Sequence, residues 1–283
     1  MTNEDLTGLV WWAKERVRGF MTGLHKSPDF GFSLDFAQHR AYVPGDSPKF
    51  IDWNLLARQD KFLTKQYEAE SNLRAYFLFD SSASMFSNEG LKWSHAVKLI
   101  ALTGALLTKQ RDALGLLEVR DSEVSFFESK NTDETLERLL IHITERHRIK
   151  GENGNLLAGI HRLLDEAPSR SEILFLTDVY HNNLEALCKQ LGAVVDAGHY
   201  LRMVVLLSEE RELDTSFYHG QYVVDSESGK KTNITREEAS EMQKYVEDQL
   251  DTLREYSSLY GFALTLVYIE DDPMVSFQKL LEA

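Results

Sequence analysis

A run of apolar and aromatic residues, Tyr76-Phe77-Leu78-Phe79, ends abruptly in Asp80, and Ser82 and Ser84 follow within the next four positions. The run does not alternate with polar residues, so it reads as a strand buried on both faces. Strands of that kind belong to parallel sheets covered by helices, and ligands collect beyond their carboxyl ends. One carboxylate and two hydroxyls in a tight loop at that end are hard oxygen donors, which suit Mg²⁺ or a similar ion. Ser and Asp also cap helices and form turns, so the same D-x-S-x-S could serve only to open the helix that follows.

A second segment has the same design. Ile173-Leu174-Phe175-Leu176-Thr177 is apolar and terminates in Asp178. If the two strands are parallel near neighbours, Asp178 and Asp80 share one edge of the sheet, with Ser82 and Ser84 between them. A sparse carboxylate–hydroxyl pocket of this kind suits Mg²⁺, which keeps several waters and an open position for an incoming oxygen. The loop Gly151-Glu152-Asn153-Gly154-Asn155 precedes a helix. Its glycines let it bend toward the strand ends, and Asn153 or Asn155 could donate a carbonyl oxygen. Either Asn could equally be the helix N-cap, which is the favoured reading.

Periodicity extends this picture along the chain. Strands are expected over residues 75–79, 114–119, 124–127, 173–177, 201–207 and 263–269, and helices over 91–109, 132–143, 156–167, 184–197 and 236–260. The two strands on either side of Arg120-Asp121-Ser122-Glu123 read as a hairpin, which makes one sheet edge antiparallel. The rest alternates as crossover units do, implying an α/β fold with a doubly wound, mostly parallel sheet. Residues 1–72 form an N-terminal extension to the main domain at 73–283. Within it Leu6, Leu9, Val10, Ala13 and Val17 recur at helical spacing, a helix expected to end near Gly19 and to pack on the main body. Strands are expected over 36–43 and 62–67, with a short helix between them.

Acidic residues outnumber basic ones, 45 against 31, for a formal charge of −14. That balance argues against nucleic acid, whose binders need a basic footprint. The single cysteine, Cys188, excludes an intrachain disulfide and a CxxC zinc site, and it lies among Leu184, Leu187 and Leu191 as a buried thiol would. A reducing cytoplasm fits. No stretch approaches the ~18 consecutive apolar residues of a membrane span.

The combination of Asp80, Ser82, Ser84 and Asp178 resembles a von Willebrand factor type A domain carrying a metal-ion-dependent adhesion site. Upstream, Gly31-Phe32-Ser33, Arg40-Ala41-Tyr42-Val43-Pro44-Gly45-Asp46, Ile51-Asp52-Trp53, Ala57-Arg58 and Glu68-Ala69-Glu70 are similar to the bacterial family known as domain of unknown function 58. The likeness covers residues 18–117 closely and the rest loosely. It implies that Asp80, Ser82, Ser84 and Asp178 hold Mg²⁺ or Mn²⁺, and that a protein partner supplies an acidic ligand. It further implies work with a MoxR-type AAA+ ATPase, or its client, in assembling or activating other proteins. Arg40, Tyr42, Gly45, Asp46, Asp52, Trp53, Arg58, Glu68 and Glu70 are family-motif residues to which no role is attached. Two departures stand out: the second-loop threonine of adhesion sites has no equivalent near Asn153 and Gly154, and the transmembrane segments of some relatives are absent.

Three functions compete. The leading one is a non-catalytic, metal-dependent protein-interaction module. A phosphatase-like hydrolase could use the same strand-end ion, with His181 as a base, but the haloacid-dehalogenase pattern needs a carboxylate where Ser82 stands. Neither a P-loop nor a nucleophile-elbow motif occurs in the chain. The third reading is a degenerate scaffold that binds no ion.

Overall fold

The computed structural model describes residues 3–24, 35–42, 55–56, 62–68, 73–120, 123–146, 155–181, 183–214, 222–224, 231–233 and 235–282. Two compact units emerge, one of Met1–Gly23 with Leu73–Ala283 and one of Leu24–Asn72. The first helix, α1 (Asn3–Leu24), runs a turn beyond the expected stop at Gly19. Its Leu6, Ala13 and Val17 are buried in the core of the larger unit. The helical part of the extension therefore belongs with the α/β unit, and Leu24–Asn72 makes the second unit.

In that smaller unit β1 (Asp35–Ala41) pairs antiparallel with β2 (Leu63–Glu68), with an irregularity between Phe36 and Gln38. Just past the ladder, Tyr42 N donates to Phe62 O at 3.0 Å, and the two rings stand 6.3 Å apart.

The larger unit is built on β3 (Arg74–Asp80), which leads through a 3-10 turn (Ala83–Phe86) into α2 (Ser87–Lys109). Then come β4 (Ala113–Arg120), β5 (Glu123–Lys130), α3 (Thr135–Arg146), α4 (Leu156–Glu166), β6 (Glu172–Thr177), α5 (Leu184–Asp196) and β7 (Tyr200–Leu207). A π-helical turn (Glu209–Leu213) and a small hairpin, β8 (Tyr222–Val224) with β9 (Lys231–Asn233), precede α6 (Arg236–Tyr260), β10 (Ala263–Tyr268) and α7 (Pro273–Glu282). Neither the hairpin nor α7 was expected. Strands of three residues show no period, whereas α7 carries one in Met274, Phe277 and Leu281 behind Pro273 at its first position.

The main sheet runs β10-β7-β6-β3-β4-β5, parallel throughout except for β5, which lies antiparallel on β4. The expected doubly wound sheet with one antiparallel edge is thus observed. Strand β3 sits at its centre, and six of its seven residues are buried. Ala75, Phe77 and Phe79 enter a core shared with α1, α2, α3 and α7, while Tyr76 and Leu78 enter one shared with α4, α5 and α6. Burial on both faces explains the missing alternation in the sequence, and each such side chain contributes roughly 1.5–3 kcal/mol.

The helix boundaries are chemically marked. Thr235 and Glu238 form a reciprocal capping box at the start of α6, which ends at Gly261 with φ +74°, a left-handed conformation suited to glycine. Counted within the sheet, the strand order is 3-2-1-4-5-6. Chain direction reverses outward from the gap between β3 and β6, the switch point at which open α/β sheets form their binding crevice.

Candidate functional site

Both acid-terminated strands end at that switch point. Strand β3 pairs directly with β6, Phe79 opposite Leu176, so Asp80 and Thr177 occupy adjoining strand ends. Asp80, Thr177 and Asp178 are all buried. Asp80 Oδ2 accepts the Thr177 hydroxyl at 2.6 Å, and its Oδ1 accepts Ser82 N at 2.9 Å. Asp178 Oδ1 accepts Tyr180 N at 3.1 Å, the same backbone turn two residues on. The structure therefore brings together Asp80, Ser82, Ser84 and Asp178.

Neither serine hydroxyl makes a helix-cap bond. Helix α2 starts at Ser87 behind Phe86, which makes no side-chain cap bond. Ser82 Oγ and Ser84 Oγ instead lie 3.1 Å apart, half-buried beside Asp80. Two hydroxyls that serve no helix terminus and converge next to a carboxylate are free to serve a ligand. Ser81, between them and the strand, points the other way and donates to Glu118 Oε1 at 2.6 Å.

Thr177 is a residue that sequence reasoning passed over. The second-loop threonine is missing from its expected place, but a threonine hydroxyl reaches Asp80 from the end of β6, next to Asp178. His181 Nε2 lies 3.3 Å from the same hydroxyl. Asn155 is the N-cap of α4, its side chain accepting Ala158 N at 3.1 Å. Asn153, Gly45, Asp46, Asp52, Trp53, Arg58 and Glu70 lie outside the described residues. Of the other family-motif positions, Arg40 stands opposite Thr64 and Glu68 opposite Asp35 in the β1–β2 ladder, and Tyr42 is half-buried just after it.

A cation was also missed. Lys92, one turn into α2, is fully buried, with Nζ 2.6 Å from Glu212 Oε1 and 3.3 Å from Asp178 Oδ2. Glu212 comes from the π-helical turn after β7, and its other oxygen accepts Ser208 N at 2.7 Å. The Tyr180 ring covers the ammonium at 4.8 Å. The one available signal was that Lys92 shares the apolar stripe of α2 with Ala96 and Leu99, where a lysine is out of place.

Electrostatics separates the two acids. Burial raises the Asp80 carboxyl above its ordinary range and the charge of Asp178 adds to this, against the opposing effects of His181, Thr177 and Ser82. Burial alone would lower Lys92, but Asp178 and Glu212 outweigh it and hold the ammonium above its usual value. Among the described residues no lysine or arginine forms an ion pair with Asp80.

Behind Ser81 lies a second buried cluster. Glu118 accepts from Ser81 and from Arg120 Nη2 at 3.2 Å, and His142 Nε2 stands 3.0 Å from its Oε2. Burial works against the Glu118 charge, yet His142, Ser81 and Arg120 together hold its carboxyl below the usual range. The cluster fixes the backbone of the loop that carries Ser82.

As a donor set, the Asp80 carboxylate with the Ser82, Ser84 and Thr177 hydroxyls is all oxygen and fits a small hard cation. Among the described residues no group of three or more His, Cys, Asp or Glu side chains forms a metal cage. Formal charge nonetheless favours a cation. Asp80, Asp178 and Glu212 against Lys92 leave 1 − 3 = −2 in a buried cluster, which a single divalent ion would neutralise.

Comparison with known proteins adds a family and several distant likenesses. A family model described as protein of unknown function DUF58 matches residues 38–253. Among solved structures, the chain is similar to the hypothetical protein BatB from Bacteroides thetaiotaomicron, at 10% identity over 74% of this chain and 98% of that one, with a TM-score of 0.44. It is also similar to the SpRpn10 VWA domain, at 8% identity over 75% of this chain and 96% of that one, with a TM-score of 0.44. Proximal thread matrix protein 1 from the mussel byssus, solved with a zinc-occupied MIDAS motif, matches at 10% identity over 75% of this chain and 46% of its own, with a TM-score of 0.43. No curated protein matches.

Proposed function

The chain belongs to the DUF58 family, and from that premise we propose that its switch-point crevice is a metal-dependent protein-docking site. Asp80, Ser82, Ser84 and Thr177 hold Mg²⁺ or Mn²⁺, with Asp178 beside them. The ion would supply a Lewis-acid position for an acidic side chain of the partner. The module is non-catalytic in this reading. It works as an adaptor for a MoxR-type AAA+ ATPase or its client, the partnership that family resemblance implies.

One observation carries the proposal. Asp80 is buried and hydrogen-bonded but has no lysine or arginine partner among the described residues, and two serine hydroxyls that cap no helix converge beside it. A buried carboxylate in that condition is costly unless a cation completes it. The test is thermal unfolding with and without MgCl₂. At about 100 Kd a ligand stabilises by about 2.7 kcal/mol, which for a chain of this size raises Tm by about 5 °C. Asp80→Ala is expected to abolish the shift, and no shift in native protein would count against the reading.

A second reading, a scaffold that binds no ion, has Lys92 in its favour, because an ammonium already neutralises Asp178. It predicts no response to Mg²⁺ or Mn²⁺ at any concentration that leaves Asp80→Ala unaffected. No helix among the described residues is long and apolar enough to cross a membrane.

A further inference from the structure

Lys92 is an unusual group to find beside a candidate cation site. It is fully buried, it contacts two carboxylates from two different loops, and an aromatic ring closes it off. Its position is over-determined. Glu212 is anchored by Ser208 N at 2.7 Å, and Ser208 in turn donates its hydroxyl to Glu270 at 2.6 Å. Tyr180, whose ring covers Nζ, donates its backbone N–H to the other oxygen of Asp178. The ammonium thus ties the start of α2 to the ends of β6 and β7.

The two acids of the crevice consequently differ in kind. The Asp80 oxygens accept from a hydroxyl and a backbone amide, both neutral donors, and no lysine or arginine among the described residues pairs with them. One Asp178 oxygen faces a full positive charge at 3.3 Å. A cation approaching Asp178 has to compete with that ammonium in a place without solvent to screen either charge.

Resting on the metal-site reading above, we infer that Lys92 withholds Asp178 from direct ligation, so that the bound ion is held on the Asp80 side alone. Lys92 then sets two properties of the site. It keeps the resident affinity for a divalent ion low, because one of the two carboxylates is already satisfied. It also leaves more positions of the ion open to water and to an incoming acidic side chain, since Asp178 does not fill one.

The proposal is tested by a charge-matched exchange. In native protein the buried formal charge is −2, from Asp80, Asp178 and Glu212 against Lys92. In the double variant Lys92→Met/Glu212→Gln it is again −2, from Asp80 and Asp178 alone. A change in affinity between these two proteins reports the release of Asp178 and not a change of net charge. The pair also avoids leaving Glu212 buried without its counter-ion, which Lys92→Met alone would do. Mn²⁺ titration by calorimetry, with thermal unfolding in parallel, is expected to show binding at least tenfold tighter in the double variant. Asp178→Asn added to that variant should abolish the gain. Equal or weaker Mn²⁺ binding by the folded double variant overturns the role of Lys92 while leaving the site reading intact, provided Asp80→Ala still abolishes binding. Mn²⁺ binding by neither protein overturns the site reading and this inference with it.

A second variant keeps the question open to refutation should the double variant fail to fold. In Lys92→Gln/Glu212→Gln polar groups of similar length replace both ions, and the buried formal charge again comes from Asp80 and Asp178 alone. Mn²⁺ binding at least threefold tighter than native is expected there, and unchanged or weaker binding would overturn the inference.

Discussion

His95 offers a measurable account of how helix packing makes this fold sensitive to acid. It lies on the inner face of α2, buried, with Nε2 3.0 Å from the hydroxyl of Ser276 on α7. Burial is the main reason its pKa falls from 6.5 to about 4, and the charge of Lys98 adds to it against the opposing pull of Asp271, Glu270 and Asp272. Between those two values the unfolded chain binds a proton that the native chain does not. Stability therefore rises with pH through the window and is lost as pH falls from 6.5 toward 4. At about pH 4.5 the loss is on the order of 2 kcal/mol, from 1.36 kcal/mol per pKa unit reduced for partial solvent access. His95→Gln keeps a hydrogen-bonding group against Ser276 but cannot titrate. Urea unfolding of both proteins from about pH 7.5 to about pH 4.5 isolates the term. The other groups that titrate in this range are common to both chains, so they cancel in the difference. Native protein should lose on the order of 2 kcal/mol more than the variant across this range. Parallel curves would refute the assignment, because they would mean that His95 is protonated equally in the folded and unfolded chains.

Three further outcomes follow from particular contacts. Gly115→Ala places a Cβ 2.4 Å from the Tyr76 ring and 2.9 Å from Phe127 O. Because Tyr76 is stacked on Phe126 and bonded to Ser129, it cannot yield cheaply, and denaturant unfolding should show a loss of about 3 kcal/mol or more. Ser81→Ala removes a 2.6 Å donor from buried Glu118 and should cost about 1–3 kcal/mol by the same assay. An unchanged midpoint would show that Arg120 and His142 satisfy Glu118 without it. Burial pushes the Cys188 thiol up to about 12, so a disulfide reagent should modify it only as fast as the protein opens in denaturant. Rapid labelling of native protein would contradict its place in the core.

Much of the architecture was legible in the residues alone, for a physical reason. A strand covered on both faces loses its alternation, so residues 75–79 and 173–177 announced a parallel sheet, and the acids that ended them marked one edge. The hairpin at residues 114–127 likewise placed the antiparallel strand. Short elements escaped: β8 and β9 span too few residues to show a period, and α7 was passed over although Met274, Phe277 and Leu281 recur at helical spacing. Local chemistry was ambiguous where one residue type serves two ends. D-x-S-x-S could have capped the helix that follows, but Phe86 stands at the N-cap of α2 and the motif opens the 3-10 turn before it.

The partners of the acids lay beyond the reach of sequence. Thr177 meets Asp80 from 97 residues away, and Lys92 meets Asp178 and Glu212 from 86 and 120 residues away. The order of the strands decides those meetings, by setting which loops converge at the switch point and which helix begins above them. Residue type and spacing therefore determined that acids and hydroxyls gather at one edge. Tertiary structure alone decided that one acid is paired with a lysine and that the other has no lysine or arginine partner among the described residues. Opposite charges attract through space rather than along the chain, and only the folded sheet brings them within range.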